Sequence, residues 1–257
     1  MISAELGAVA TVLVVLLVTY VAGRRAGKHS VIDVAWGAMF ALIAVVAFVL
    51  SADQGDKGRR WLLLLMTAVW GTRLAVHIGL RSRGKPEDPR YAALLADRGP
   101  VFAVLVVYGL QGALVLLIAQ PVLVGSFTAG GLTVWAWLGV AVWLVWLFFE
   151  AVGDWQLEQY KKDPDRGPVM DRGLWNYTRH PNYFGDACVW IGIFLVAAER
   201  WPGVLTIPSP VLMIYLLAFG SGKKVLERHL ADRPGFADYR RRTSGFIPLP
   251  PREGHGR

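Results

Sequence analysis

The sequence is short of charge and nearly devoid of cysteine. Of its 257 residues only 18% are charged while 54% are hydrophobic, and the balance belongs to an integral membrane protein. The lone cysteine, Cys188, lies in an apolar stretch, which excludes an intrachain disulfide and a cysteine-based metal knot. Acidic residues number 19 against 27 basic ones, a net charge of +8. In a soluble protein that excess would suggest nucleic acid. Here the basic residues sit in loops beside apolar runs, where positive-inside orientation and anionic membrane lipid account for them, so no nucleic-acid partner is expected. Several signatures are also missing. No G-x-G-x-x-G follows a strand and no Walker loop occurs, which excludes a Rossmann or P-loop nucleotide site. His29, His77, His180, His229 and His255 are scattered without an H-E-x-x-H pairing, so no metal is expected. There is no G-x-S-x-G elbow and no internal repeat.

What is present is a series of apolar runs of about the ~20 helical residues that a hydrocarbon core of ~30 Å requires. They cover residues 2–22, 31–50, 61–80, 101–124, 132 onward, 183–198 and 204–219. The expected fold is an all-α integral membrane protein, a bundle of about seven transmembrane helices. The first run has no basic region before it, and Arg24, Arg25 and Lys28 follow it. It therefore reads as a span with the N-terminus outside and the C-terminus cytoplasmic, not as a signal peptide. The connector at 51–60 fits poorly: it should be external, yet it carries Lys57, Arg59 and Arg60. Residues 1–250 read as a single membrane domain, and 251–257 as a flexible tail.

The chemistry concentrates in the sixteen residues from Asp171 to Asp186, D-R-G-L-W-N-Y-T-R-H-P-N-Y-F-G-D, flanked by apolar runs. Ionisable groups this dense at a membrane are costly unless they pair, line a wet cavity or hold a ligand, so the stretch is the first candidate for a site. Pro181 pushes His180 away from helical geometry. Elsewhere Glu150, Asp154 and Glu158 recur every four residues as one helical stripe, and Glu150 and Asp154 lie nearest the membrane. Arg73 and His77 share a face inside the third run. The loop after it, R-S-R-G-K-P-E-D-P-R-Y, offers Arg81, Arg83, Lys85 and Arg90 to phosphates, although a bare charge run is more often simply solvated. Arginine forks suit phosphate, and Asp154 and Asp186 suit ribose hydroxyls or an amide, which together describe a nucleotide-sized cofactor.

S-V-I-D-V-A-W-G, W-G-T-R-L with R-S-R-G-K, E-x-x-G-D-x-Q, G-L-W-N-Y-T-R-H-P-N-Y-F-G-D and Y-x-x-x-T-x-x-F-I-P, taken together, resemble the bacterial DUF1295 branch of the steroid 5-alpha-reductase family over roughly residues 30–250. The resemblance implies a seven-helix reductase in the bacterial inner membrane. It would take NADPH from the cytoplasmic side and reduce a carbon-carbon double bond conjugated to a carbonyl in a lipophilic, steroid-like or other lipid substrate. The cofactor positions it implies are Arg83, Glu150, Asp154, Asn182, Asp186 and Glu227, with Arg73, Arg179, His180, Tyr183 and Tyr239 as neighbours. The acid at the carbonyl suits a tyrosine or a protonated carboxyl, and Asp33 is the catalytic candidate. R-H-P-x-Y with the terminal I-P also resembles the isoprenylcysteine carboxyl methyltransferases, whose cofactor is S-adenosylmethionine. Asn182, Phe184, Gly185 and Asp186 follow the reductase pattern instead.

Overall fold

A backbone in hydrocarbon has no water to bond, so each apolar run closes its own hydrogen-bond ladder as a helix. The computed structural model describes residues 1–220 and 223–252, apart from the side chains at 224, 225 and 229; from 253 on, the expected flexible tail lies outside the described residues. In chain order the helices are α1 (Ile2–Ala26), α2 (Val31–Leu50), α3 (Lys57–Ser82), α4 (Pro89–Leu95), α5 (Pro100–Ile118), α6 (Gln120–Ser126), α7 (Val134–Lys162), α8 (Leu174–Tyr177), α9 (Pro181–Ala198), α10 (Pro208–Ala218), α11 (Lys223–Leu230) and α12 (Phe236–Arg242). Helix α5 carries a π-helical stretch at Ala103–Gly109. Among the described residues the only strand-like pairing is an isolated bridge between Thr178 and Ser244.

Six of these helices, α1, α2, α3, α5, α7 and α9, are long and apolar enough to cross a membrane, and the protein is a multi-pass integral membrane protein. The sequence led us to expect seven. The run at 204–219 instead forms a 3₁₀ turn, Gly203–Thr206, and the 11-residue α10. Pro208 and Pro210 cannot donate back to the preceding turn, so a single long ladder through this run is broken.

The chain divides into two compact units, Met1–Trp137 with Ile193–Ser209, and Leu138–Gly192 with Pro210–Arg257. In hydrocarbon, apolar surface gains little by leaving lipid, so helices associate where small residues let their backbones come close. In the first unit that place is the α2–α3 crossing. A Cβ on Gly37 would lie 2.1 Å from the carbonyl oxygen of Gly71, and one on Gly71 would lie 2.4 Å from that of Gly37. The crossing stands one turn from Asp33. In the second unit α7 and α9 meet the same way, a Cβ on Gly192 falling 2.6 Å from the carbonyl oxygen of Gly139, with Trp146 and Trp190 fully buried.

The arginines that looked out of place in the 51–60 connector turn out to be internal. Arg59 is fully buried against Glu199: its Nε and Nη2 donate to Glu199 Oε1 at 3.1 and 2.6 Å. Its Nη1 donates to the Thr128 carbonyl at 2.7 Å, and Nη2 also to that of Gly130 at 3.0 Å. Glu199 Oε2 accepts from the Thr133 backbone N–H and hydroxyl at 2.9 and 2.7 Å. Arg60 donates to the Ser51 hydroxyl and to the Ala52 and Phe48 carbonyls, closing the C-terminal end of α2.

Candidate functional site

In the second unit the polar stretch folds back on α7. Gly173 takes a φ of +59°, where a side chain would be strained, and Gln156 fills the space beside it. Gln156 Oε1 accepts from the Leu174 N–H at 2.9 Å, and Trp175 Nε1 donates to the Gly153 carbonyl at 3.2 Å. The C-terminal segment then straps the turn. Thr178 Oγ1 donates to the Phe246 carbonyl at 3.0 Å, and the Arg179 N–H to that of Ser244 at 2.9 Å. Pro181 opens α9 at its first position, where a missing N–H costs nothing.

That strap brings Arg179 and His180 to Glu227 of α11. Arg179 Nε and Nη2 both stand 2.9 Å from Glu227 Oε1, and His180 Nε2 stands 3.1 Å from the same oxygen. Arg179 Nη1 also donates to the carbonyls of Arg240, at 3.0 Å, and Thr243. Burial by itself would raise the Glu227 carboxyl, but hydrogen bonds from His180 and Arg179 outweigh it and hold it at about 2. Burial holds His180 below its ordinary value, with Glu227 opposing only in part. The neutral imidazole therefore donates from Nε2 to the carboxylate. Its ring stacks on Tyr183, centroids 5.2 Å apart and planes 7° from parallel.

One turn along, Asn182 Nδ2 donates to Asp154 Oδ1 at 2.9 Å, tying α9 to the acidic stripe of α7. Asn182 Oδ1 is buried and has no hydrogen-bond partner among the described residues. The second unit thus gathers Arg179, His180, Tyr183 and Glu227 into one group and pairs Asp154 with Asn182. Glu150 lies buried on α7 and Asp186 half-buried on α9. Tyr239 is buried and donates its hydroxyl to the Trp175 carbonyl at 2.6 Å, which makes it a strut of the same corner. Arg73, half-buried on α3, and Arg83, exposed at the C-terminal cap of α3, belong to the first unit.

Asp33, in the first turn of α2, has its own set of partners in the first unit. Tyr91 donates its hydroxyl to Asp33 Oδ1 at 2.5 Å, and Arg90 Nη2 donates to Oδ2 at 2.9 Å. Gln111 Nε2 donates to the Tyr91 hydroxyl at 3.2 Å. Burial first, and the Asp33 charge next, push the Tyr91 hydroxyl far up, so it keeps its proton at any ordinary pH. Sequence reasoning missed Tyr91 and Gln111. A signal for Tyr91 existed: Asp88 caps α4 and Pro89 sits at its first position, so D-P-R-Y announces a short helix where a solvated loop was expected. Arg90, expected to be available to phosphate, is instead committed to Asp33 and Asp88. Among the described residues no three His, Cys, Asp or Glu side chains gather closely enough to hold a metal ion.

With this geometry in hand, the chain can be set beside known proteins. The profile of a family described as "Protein of unknown function (DUF1295)" matches residues 19–243. Among curated proteins the chain is similar to Steroid 5-alpha-reductase DET2 of Arabidopsis thaliana, 32% identical over 75 residues, which is 27% of this chain and 28% of that protein's length. No solved structure gives a significant match.

Proposed function

The chain belongs to the DUF1295 family, and from that premise we propose that it is a membrane-embedded oxidoreductase that uses NADPH to reduce a carbon-carbon double bond conjugated to a carbonyl in a lipophilic substrate. The partial likeness to a steroid 5-alpha-reductase supports the reaction class. The observation that carries the reading is the corner around Asn182. Its buried Oδ1 has no partner, a state that costs roughly 1–3 kcal/mol and that a ligand carboxamide N–H or ribose hydroxyl would relieve. Beside it in sequence lie the Arg179 fork and the stacked ring of Tyr183, and α7 contributes the Asp154 carboxylate. This donor and acceptor set fits a pyridine nucleotide.

NADPH, when bound, supplies a hydride, which in this reaction class goes to the carbon β to the carbonyl. The chain's own residues bind and protonate. Arg179, held in orientation by Glu227, offers its charge to phosphate, while Asp154 and Asn182 orient hydroxyl or amide groups. On this proposal Glu150, His180, Asp186 and Tyr239 complete the set, with Arg73 and Arg83 assigned by the resemblance alone. Tyr91 holds a proton at Oη next to Asp33. A substrate carbonyl that reaches Oη replaces Asp33 as acceptor, and the hydroxyl then stabilises the negative charge that develops on that oxygen. Asp33 holds the hydroxyl in place before the carbonyl arrives, and Gln111, which donates to Oη, holds it throughout.

The proposal extends to topology. Gly203–Ala218 is read as a seventh crossing, with the N-terminus outside, the C-terminus cytoplasmic and residues 1–250 working as one domain in the bacterial inner membrane. Arg59 and Arg60 are consumed by internal partners and drop out of the loop-charge count, which supports this orientation.

The test is nucleotide binding by the purified protein in detergent. NADPH binds, and Asn182→Ala or Asp154→Asn weakens it by about tenfold or more, the loss of one buried hydrogen bond. Tight binding of S-adenosylmethionine with no response to NADPH assigns the chain to the methyltransferase type instead. In turnover of an active enone, Tyr91→Phe lowers kcat while leaving NADPH affinity in place.

A further inference from the structure

A cavity of about 420 Å³ in the first unit is used by none of the foregoing chemistry except at one wall. It is built between Tyr20 and Ala103, from the last turns of α1, the loop into α2, helix α4 and the first turn of α5. Its volume falls within the range of ligand pockets, ~300–1,000 Å³, and exceeds what a bare inorganic ion fills. Since α1 and α5 are both of membrane-spanning length, a cavity at their ends lies at the depth of the lipid headgroups.

Its lining has a definite sign. Arg24 and Arg98, both exposed, line it, and neither forms an ion pair among the described residues; Arg98 lies over the Phe102 ring at 5.0 Å. Gly99 and Pro100 present the N-terminal end of the 19-residue α5, the positive end of its dipole. Glu87 also lines the space, but its carboxylate is already spent on three backbone N–H groups, those of His29 at 2.5 Å and of Ser30 and Asp88 at 3.0 Å. His29 also lines the space, with its Nδ1 paired to the Tyr108 hydroxyl at 3.2 Å, and the rest of the wall is apolar or amphipathic, chiefly Leu95, Ala103 and the rings of Tyr20 and Tyr91. Two free cations and a helix N-terminus beside an apolar wall call for an anion attached to an aliphatic body.

We propose that this cavity binds the phosphate headgroup of an anionic membrane phospholipid, held by Arg24 and Arg98, with its glycerol and the start of its acyl chains against Leu95 and Ala103. Basic pockets between membrane helices are the places where such headgroups lodge. The Tyr91 ring forms part of the wall while its hydroxyl meets Asp33, so the bound lipid touches the same residue that the proposed reaction uses as its acid.

The experiment uses the full chain, delipidated in detergent. Retention of phosphatidylglycerol, phosphatidylcholine and inorganic phosphate is compared by native mass spectrometry and by shift in Tm. Phosphatidylglycerol is retained and raises Tm, phosphatidylcholine is held more weakly, and inorganic phosphate at equal concentration does neither. The Arg24→Gln/Arg98→Gln variant loses phosphatidylglycerol affinity by about tenfold or more, the loss of two charge-assisted contacts. Ala92→Phe, which narrows the cavity and keeps both arginines, loses it as well. An Arg25→Gln/Lys85→Gln variant removes equal charge from the same loops without touching the lining, and it retains the lipid. Equal weakening by that control reduces the effect to general surface attraction and overturns the proposal. So does protection by inorganic phosphate equal to that by lipid. Loss of NADPH binding in the Arg24/Arg98 variant with lipid retention unchanged would reassign the two arginines to the cofactor.

Discussion

Two arginine–glutamate pairs, one in each unit, teach opposite lessons from the same chemistry. Arg59 and Glu199 are both fully excluded from solvent, with side-chain exposures of 0% and 0%, and both carboxylate oxygens and the guanidinium nitrogens are bonded within the protein. Arg179 and Glu227 retain 9% and 12% exposure and admit a titratable third member, His180. A sealed pair has no capacity left for a ligand and serves to lock its loops. The second pair is less completely enclosed and is joined by an imidazole, and on the proposed function it would exchange some of its contacts for those of a ligand. Burying either pair is expensive, and what decides its use is whether the desolvation is compensated inside the protein or left for something else to complete.

Removing one partner of the sealed pair should have the largest effect. Glu199→Gln leaves a buried guanidinium without its counter-charge, a loss of about 3–5 kcal/mol, and thermal unfolding in detergent should show a large drop in Tm with no selective effect on nucleotide affinity. Glu227→Gln should show the reverse pattern. Its stability loss should be smaller, about 1–3 kcal/mol, but NADPH affinity should fall, because Arg179 and His180 lose the group that orients them. Equal Tm losses from the two substitutions would erase the distinction between the pairs.

Acid should sharpen the contrast further. His180 sits below its ordinary 6.5 because burial disfavours its charged form, so the unfolded chain takes up that proton first and stability declines as pH falls through 6.5. Glu227 adds a second decline: its folded value of about 2 lies under the ordinary 4.5, so its contribution is complete above 4.5 and disappears on the way down to about 2. His180→Asn should flatten the Tm profile between pH 6.5 and 4.5 while leaving the lower decline. The smallest effect belongs to Arg240, whose Nε stands 3.9 Å from Glu227 Oε2 on a side chain that is 66% exposed. Arg240→Gln should change stability by no more than about 0.5 kcal/mol, an amount that vanishes in high salt.

Much of this architecture could be read along the chain, in uneven measure. The runs at 31–50 and 183–198 foretold α2 and α9 closely, because apolar length in hydrocarbon leaves the backbone no alternative to a helix. The polar corner from Asp171 to Asp186 was conspicuous for its density of ionisable groups. The run at 204–219 was legible as apolar but not as one continuous helix, because its two prolines divide it into a 3₁₀ turn and the shorter α10. Arg59 stood out by position, since a cation in a connector that should be external counts against the orientation until its buried partner is known. Tyr91 was hidden inside a basic loop, and nothing in the sequence spacing marks a neutral side chain there as one that donates to a carboxylate 58 residues away.

Amino-acid composition and run length alone determined that this chain is helical, that it inhabits a membrane and where its polar residues concentrate. Those properties depend on local transfer energies that each segment carries with it. Which cation meets which carboxylate was decided only by tertiary structure: Arg59 finds Glu199 140 residues away, Tyr91 finds Asp33 58 away, and Arg179 finds Glu227 48 away. Such pairings depend on how closely helices approach, as at Gly37 with Gly71 in the first unit and at Gly139 with Gly192 in the second, and on the register in which they cross, quantities of packing geometry that no single segment encodes.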